Sequence, residues 1–224
     1  MISGRLYWII WLSFIVYSVI FAPNSLPSKP TLPLIEKLLK GEWYGINAYV
    51  ISLFYFMGIW PLIYSCILFV DGQTQSIHGG LISLLSMALG GFVLLPYFAI
   101  RYPHPQFKGP LTNMIRFFES KLVSFTLTLL TIGLFIYALF YGNFQNFVYE
   151  FFTQRFINIM SIDFCIISLL FPILIRDDLS RRNMSDKYHI YYPLSFIPMI
   201  GPLIYLNMRQ PLVTNNMTQS KRKL

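Results

Sequence analysis

One carboxylate stands inside an apolar run: Asp163, in FINIMSIDFCIISLLFPILI (156–175). An aspartate near the centre of a helix in hydrocarbon costs about 2.5–3.5 kcal/mol on the insertion scale. Two chemistries fit such a residue. One is a proton or ion relay, or an anchor for a polar ligand. The other is a clasp between helices, worth about 0.6 kcal/mol. Either needs hydrogen-bond donors nearby. Ser124, Thr128 and Thr131, spaced four and three apart, make a hydroxyl stripe on one helical face and are the expected donors. Tyr64 and Ser86 are a second source. Arg155 lies eight residues away, about 12 Å along a helix axis, too far for direct pairing.

The next chemical stretch is RDDLSRR (176–182). Asp177–Arg181 and Asp178–Arg182 are i,i+4 pairs if the helix continues, each adding about 0.2–0.5 kcal/mol, and the arginines anchor that helix end in the headgroup region. The same residues resemble a magnesium–diphosphate box, but Arg181 stands where its third acid belongs. Asp71-Gly72 resembles the opening of a CDP-alcohol transferase motif, but Gln75 and Ser76 replace the required Ala-Arg. His78, His104 and His189 fall at span ends or in loops, and Cys66 and Cys165 show no ligand spacing, so no metal or cofactor is expected.

The elements that must position these residues are apolar. Of 224 residues 55% are hydrophobic and 12% charged, half the charged share of a soluble domain at about 25%. Six runs approach the ~20 residues that cross a bilayer as helix: 6–22, 48–70, 81–100, 122–141, 156–175 and 190–206. The expected fold is therefore an all-α integral membrane bundle with six transmembrane helices. The first run, rich in Tyr and Trp with no small-residue cleavage pattern, reads as an uncleaved helix. The tail 207–224 reads as polar and disordered. The net charge of +8 lies in loops and tails, where it meets lipid headgroups; no basic stripe interleaves with stacking aromatics, which excludes nucleic acid.

Six crossings place 11 Lys and Arg in the loops 23–47, 101–121 and 176–189, against six elsewhere, which makes the first side cytoplasmic. The basic end of the tail then falls on the other side, unless 190–206, broken by Pro193, Pro198, Gly201 and Pro202, is re-entrant. Segments 31–44, 111–121 and 144–155 are short amphipathic helices of the headgroup plane.

The halves also echo each other. Asp71 is followed thirty residues later by Arg101, and Asp178 thirty-one residues later by Arg209, each arginine close to a proline. The echo admits an inverted 3+3 repeat; chance similarity of apolar segments explains it about as well. Pro61, Pro96 and Pro172 kink their spans. Gly79, Ser83, Ser86 and Gly90 form a small face suited to close packing.

Taken as a set, GINAYVISLFYFMGIWPLIYSCILFVDG (45–72), FVLLPYFAIR (92–101), SIDFCIISLLFPILIRDDLSRR (161–182) and IPMIGPLIYL (197–206) resemble a family of uncharacterised multi-spanning proteins of cyanobacteria and plant plastids. The chain departs from that family at Ala48, where proline often follows the asparagine. The resemblance implies a plasma or thylakoid membrane and carries over no activity. The leading expectation is a non-enzymatic scaffold or assembly partner, with membrane lipids and a larger membrane complex as partners. A small transporter using Asp163 is the second reading. An intramembrane lipid or prenyl enzyme using Asp177 and Asp178 is the third.

Overall fold

The structure, a computed structural model, describes residues 4–24, 31–73, 75–107 and 109–213. Every regular element among them is a helix. Four stretches are long and apolar enough to cross a membrane. The first is α1 (Gly4–Val16), which runs on as a π-turn over Tyr17–Phe21. The others are α3 (Ala48–Asp71), α7 (Lys121–Tyr141) and the pair α9 (Arg155–Leu170) and α10 (Pro172–Arg181). Pro172 sits at the first position of α10, where its missing N–H costs nothing, and Phe171 keeps helical angles. The two helices thus form one span of 27 residues.

Burial follows the membrane pattern. α3 is the central helix, with Trp60, Ile63, Tyr64 and Ile67 shut off from the surface. α7 instead exposes Leu122, Phe125, Leu129, Ile132, Ile136 and Phe140, an apolar stripe at helical spacing. A stripe of this kind suits lipid or another apolar helix rather than water.

The apolar runs 81–100 and 190–206 do not form single long helices. The first is split into α4 (Gly79–Leu89) and α5 (Gly91–Ile100) by Gly90, whose φ of +49° favours glycine. The second is split into α11 (Tyr188–Leu194) and α12 (Ile200–Met208) by the turn Ser195–Met199, where Met199 has φ +62°. Each half-helix is roughly 10–17 Å long, about half of a 30 Å hydrocarbon core at most. The first hairpin begins where Gly79 abuts Gly72, just past α3, and ends where Arg101 meets Asp71 at the end of that same helix. The second begins after Arg182 and ends where Arg209 comes within 3.9 Å of Asp178. Both therefore leave and return at one end of the bundle.

Each hairpin is held by the helix that precedes its half. Against α5, Trp11 Nε1 donates to Phe92 O at 2.8 Å, and Phe14 stacks on Phe92 at 4.2 Å. Against α12, Asn207 Nδ2 donates to Thr128 Oγ1 at 2.9 Å, and the Lys121 ammonium donates to the carbonyls of Leu206, Asn207 and Arg209. A cation on the orphan carbonyls of a helix C-terminus is favourable.

The amphipathic segments form α2 (Thr31–Lys40), α6 (Asn113–Glu119) and α8 (Phe144–Thr153). α6 lies beside the end of α3, where Phe118 stacks on Phe69. α2 and α8 lie at the opposite end: Tyr55, near the start of α3, donates to Leu38 O, and Asn47 Nδ2 donates to Asn143 O at 2.7 Å. Asn47 also caps α3 by accepting from Tyr49 N; Ala48 leaves that turn intact.

Four expectations need correction. Six apolar runs do not give six long helices, because backbone breaks at Gly90 and at Ser195–Met199 turn two of them back. Arg101 and Asp177 touch, and Arg181 and Asp71 lie 2.5 Å apart, so the two acidic turns share one end. An inverted 3+3 arrangement would hold them at opposite ends. The described part of 23–47, α2 and the turn after it, consequently lies across the bundle from the described residues of 101–121 and 176–189 instead of beside them. The tail also starts later than residue 207: Asn207 and Met208 complete α12 and Arg209 is buried, while 214–224 lie outside the described residues.

The hairpin tip is testable by substitution. A Cβ at Gly90 would lie 1.9 Å from Asp163 Oδ2 and on a left-handed residue, whereas a Cβ at Gly133 meets open space. Gly90→Ala should destabilise the fold by about 2 kcal/mol or more, and Gly133→Ala should raise stability by about 0.5 kcal/mol, read by thermal unfolding in detergent.

Candidate functional site

The residues that could do chemistry gather at the end of the bundle where α3, α10 and both hairpins meet. Asp71, the last residue of α3, is fully buried. Tyr97 donates its hydroxyl to Asp71 Oδ2 at 2.7 Å, and Arg101 donates Nε to the same oxygen at 2.8 Å and Nη2 to Oδ1 at 2.7 Å. The tyrosine and the arginine stand one helical turn apart on α5. A looser version recurs at Asp178. Tyr205 of α12 donates to Asp178 Oδ2 at 2.6 Å, and Arg209 lies one turn beyond it. Arg182 adds a two-pronged contact, Nε to Oδ2 at 2.9 Å and Nη2 to Oδ1 at 3.2 Å.

RDDLSRR joins the two units. Adjacent helical residues point about 100° apart, so Asp177 and Asp178 serve different partners. Asp177 faces the first unit and accepts from Arg101 Nη2 and, at 3.1 Å, from His104 N. Arg181 reaches Asp71 and donates twice to His104 O. Asp178 and Arg182 belong to the second unit, where Arg182 also forks onto both oxygens of Glu119, each at 2.7 Å. Arg209 binds Glu119 at 3.0 Å and donates to Cys66 O and Phe118 O. The cluster thus holds four acids (Asp71, Glu119, Asp177, Asp178) and four arginines (101, 181, 182, 209), with no net charge.

Burial makes this pairing obligatory. The side chains of Asp71, Asp178 and Arg182 are wholly excluded from the surface, and Glu119, the most open of the eight, keeps 16% of its own. Burial alone would lower the pKa of Arg101. The hydrogen bonds and charges of Asp71, with Asp177 behind them, more than offset it and hold that pKa above the ordinary value. Arg182 is raised likewise, burial being opposed by Asp178 and Glu119. Both guanidinium groups therefore stay charged.

Sequence reasoning placed Asp177–Arg181 and Asp178–Arg182 as solvated i,i+4 pairs. The second is a direct pair but is buried. In the first, the guanidinium crosses to Asp71 of the other half. Tyr97, Tyr205, Glu119, Arg101 and Arg209 were not singled out as site residues. A signal for four of them exists: YFAIRYP (97–103) and YLNMRQP (205–211) share the pattern Y-x-x-x-R-x-P, each following an aspartate at nearly equal distance.

Asp163 lies elsewhere, buried against the tip of the first hairpin. Its Oδ1 accepts from Gly91 N at 2.7 Å. Gly91 opens α5, so the carboxylate caps the positive end of a half-helix. The expected donors are not its partners. Thr128 donates to Ser124 O and accepts from Asn207, and the buried Thr131 hydroxyl makes no hydrogen bond. Tyr64 donates to Ile167 O, and Ser86 to Ser83 O. Arg155 turns to the carbonyls of Val19 and Ala22. Thr128 of the stripe meets Asn207 of α12, and the acid finds a backbone donor instead.

Comparison of the chain with protein-family models, with curated proteins and with solved structures finds no match.

The cluster makes a graded forecast. Removing one charge leaves its partners buried and unpaired, so Arg182→Met should cost about 3–5 kcal/mol. Tyr97→Phe and Tyr205→Phe each remove one hydrogen bond to a carboxylate and should cost about 1.5–3 kcal/mol, by nearly equal amounts. Chemical unfolding in detergent micelles reads all three.

Proposed function

We propose that this chain is a non-enzymatic membrane component: a four-crossing scaffold of two like-oriented halves that serves as an assembly partner in a plasma or thylakoid membrane. Each half consists of a long apolar helix, an amphipathic helix, a second long helix with an aspartate in its last turn, and a broken hairpin returning with tyrosine and arginine. The observation that carries the reading is the closure of the charge cluster. Its acids and arginines satisfy one another and tie the halves together, which suits a rigid frame better than a substrate site. Orientation follows from charge. Nine of the twelve described Lys and Arg lie at the cluster end, with only Lys37, Lys40 and Arg155 at the other, so the cluster end is cytoplasmic or stromal. The apolar stripe of α7 is the surface offered to lipids and neighbouring helices.

One observation favours a second reading, a small transporter. Asp163 sits at a helix break against a half-helix N-terminus, an arrangement that transporters use for ions and substrates. The lipid-enzyme reading has less support, because Asp177 and Asp178 face different partners and both carboxylates already bind arginine.

A photo-crosslinking residue at Ile132, on the α7 stripe, separates these readings when combined with Asp163→Asn. A scaffold gives a discrete crosslinked membrane-protein partner that survives Asp163→Asn. Lipid-only crosslinking, together with a pH-dependent proteoliposome flux abolished by Asp163→Asn, would establish the transporter instead.

A further inference from the structure

We infer that the surface pocket between α10 and the start of α11 binds the phosphate of an anionic phospholipid headgroup. The pocket, of about 500 Å³, is lined by Arg176, Leu179, Ser180, Ser185 and Tyr188. Arg176 differs from the other arginines of RDDLSRR. Its side chain is exposed and, among the described residues, which include all nine Asp and Glu, forms no ion pair. Hydroxyl donors stand beside it. Ser180 Oγ donates to Arg176 O at 3.0 Å and lies 3.2 Å from Ser185 Oγ. With the Ser180 proton committed to that carbonyl, Ser185 is the donor in the serine pair, and its O–H is the one that would swing from Ser180 Oγ to a ligand oxygen. A guanidinium with hydroxyl donors is the donor set that phosphate oxygens require.

Depth selects a lipid as the source of the phosphate, an inference resting on the membrane reading of the four long helices. Arg176 is thirteen residues beyond Asp163 on one continuous span, about 20 Å along the axis. If Asp163, at the hairpin tip, lies near the midplane, Arg176 sits just outside the ~15 Å half-thickness of the hydrocarbon. Tyr188 stacks on Tyr192 at 4.9 Å beside it, an aromatic pair suited to the interface. Lys187 and Asp186 nearby cancel, which leaves Arg176 to set the sign of the site.

The full chain in detergent, titrated with phosphatidylglycerol or phosphatidylcholine and read by native mass spectrometry, tests this. The wild type should retain phosphatidylglycerol preferentially. Arg176→Gln should weaken that retention about fivefold, and Ser185→Ala about threefold. Arg116→Gln, an exposed cation at the same end, should leave it unchanged. Equal retention of the two lipids, an Arg116→Gln loss matching that of Arg176→Gln, or displacement by equimolar inorganic phosphate would overturn the assignment. A chain that stays dispersed without detergent would instead overturn the membrane reading beneath it.

Discussion

A carboxylate at the end of an apolar helix must meet positive charge and hydroxyl donors, or it cannot stay ionised out of water. Asp71 and Asp178 face that requirement; Asp71 is hydrogen-bonded by Arg101, whereas Asp178 is hydrogen-bonded by Arg182 of its own helix and approached by Arg209 only to 3.9 Å. Each is approached by one tyrosine hydroxyl and one arginine from the hairpin that follows it. The tyrosine and arginine are one helical turn apart, so the returning half-helix has to present that face, at that height, beside the aspartate. A local demand for compensation therefore decides where some thirty residues of chain come back. Buried ion pairs are often replaceable by apolar side chains without loss, so this cluster matters chiefly for specifying geometry rather than for adding stability.

RDDLSRR extends the same logic between the halves. Its alternating directions send Asp177 and Arg181 to Arg101 and Asp71, and keep Asp178 and Arg182 within their own half and with Glu119. Asp163 does comparable work at the hairpin tip, where the break at Gly90 leaves amide groups without helical partners. The carboxylate takes one of them, at Gly91 N. A residue that stands out in the sequence as a chemical oddity is, in three dimensions, the counterpart of a broken helix.

Much of this was legible beforehand. Apolar content gave an all-helical fold with helices long enough to cross a membrane, the amphipathic pattern located α2, α6 and α8 within a few residues, and the echo Asp71–Arg101 and Asp178–Arg209 falls on residues that the structure brings together. The prolines of 190–206 left a returning course open for the second hairpin; what could not be read was the direction of the first. Twenty apolar residues look like a span whether or not they turn back, and one glycine in GGLISLLSMALGGF decides it. Gly90 was grouped with a stripe of small packing residues, because nothing in a sequence distinguishes a glycine that lets helices approach from one that takes a positive φ. The hydroxyl stripe misled for a related reason: spacing puts Ser124, Thr128 and Thr131 on one face, but only tertiary structure brings Thr128 to Asn207 of α12. Burial of the arginines was likewise hidden, since a charged run after an apolar span reads as a solvated helix end.

The shared end of the two acidic turns is the point on which the whole arrangement rests, and side-specific labelling reads it directly. With Cys66 and Cys165 replaced, single cysteines at Gln75, Ser185 and Tyr44 would be probed with a membrane-impermeant thiol reagent in sealed, oriented vesicles. Two returning hairpins place positions 75 and 185 on one side and position 44 on the other. Labelling of 75 and 185 from opposite sides would mean that the segment 81–100 crosses the membrane, and the cluster described here could not form.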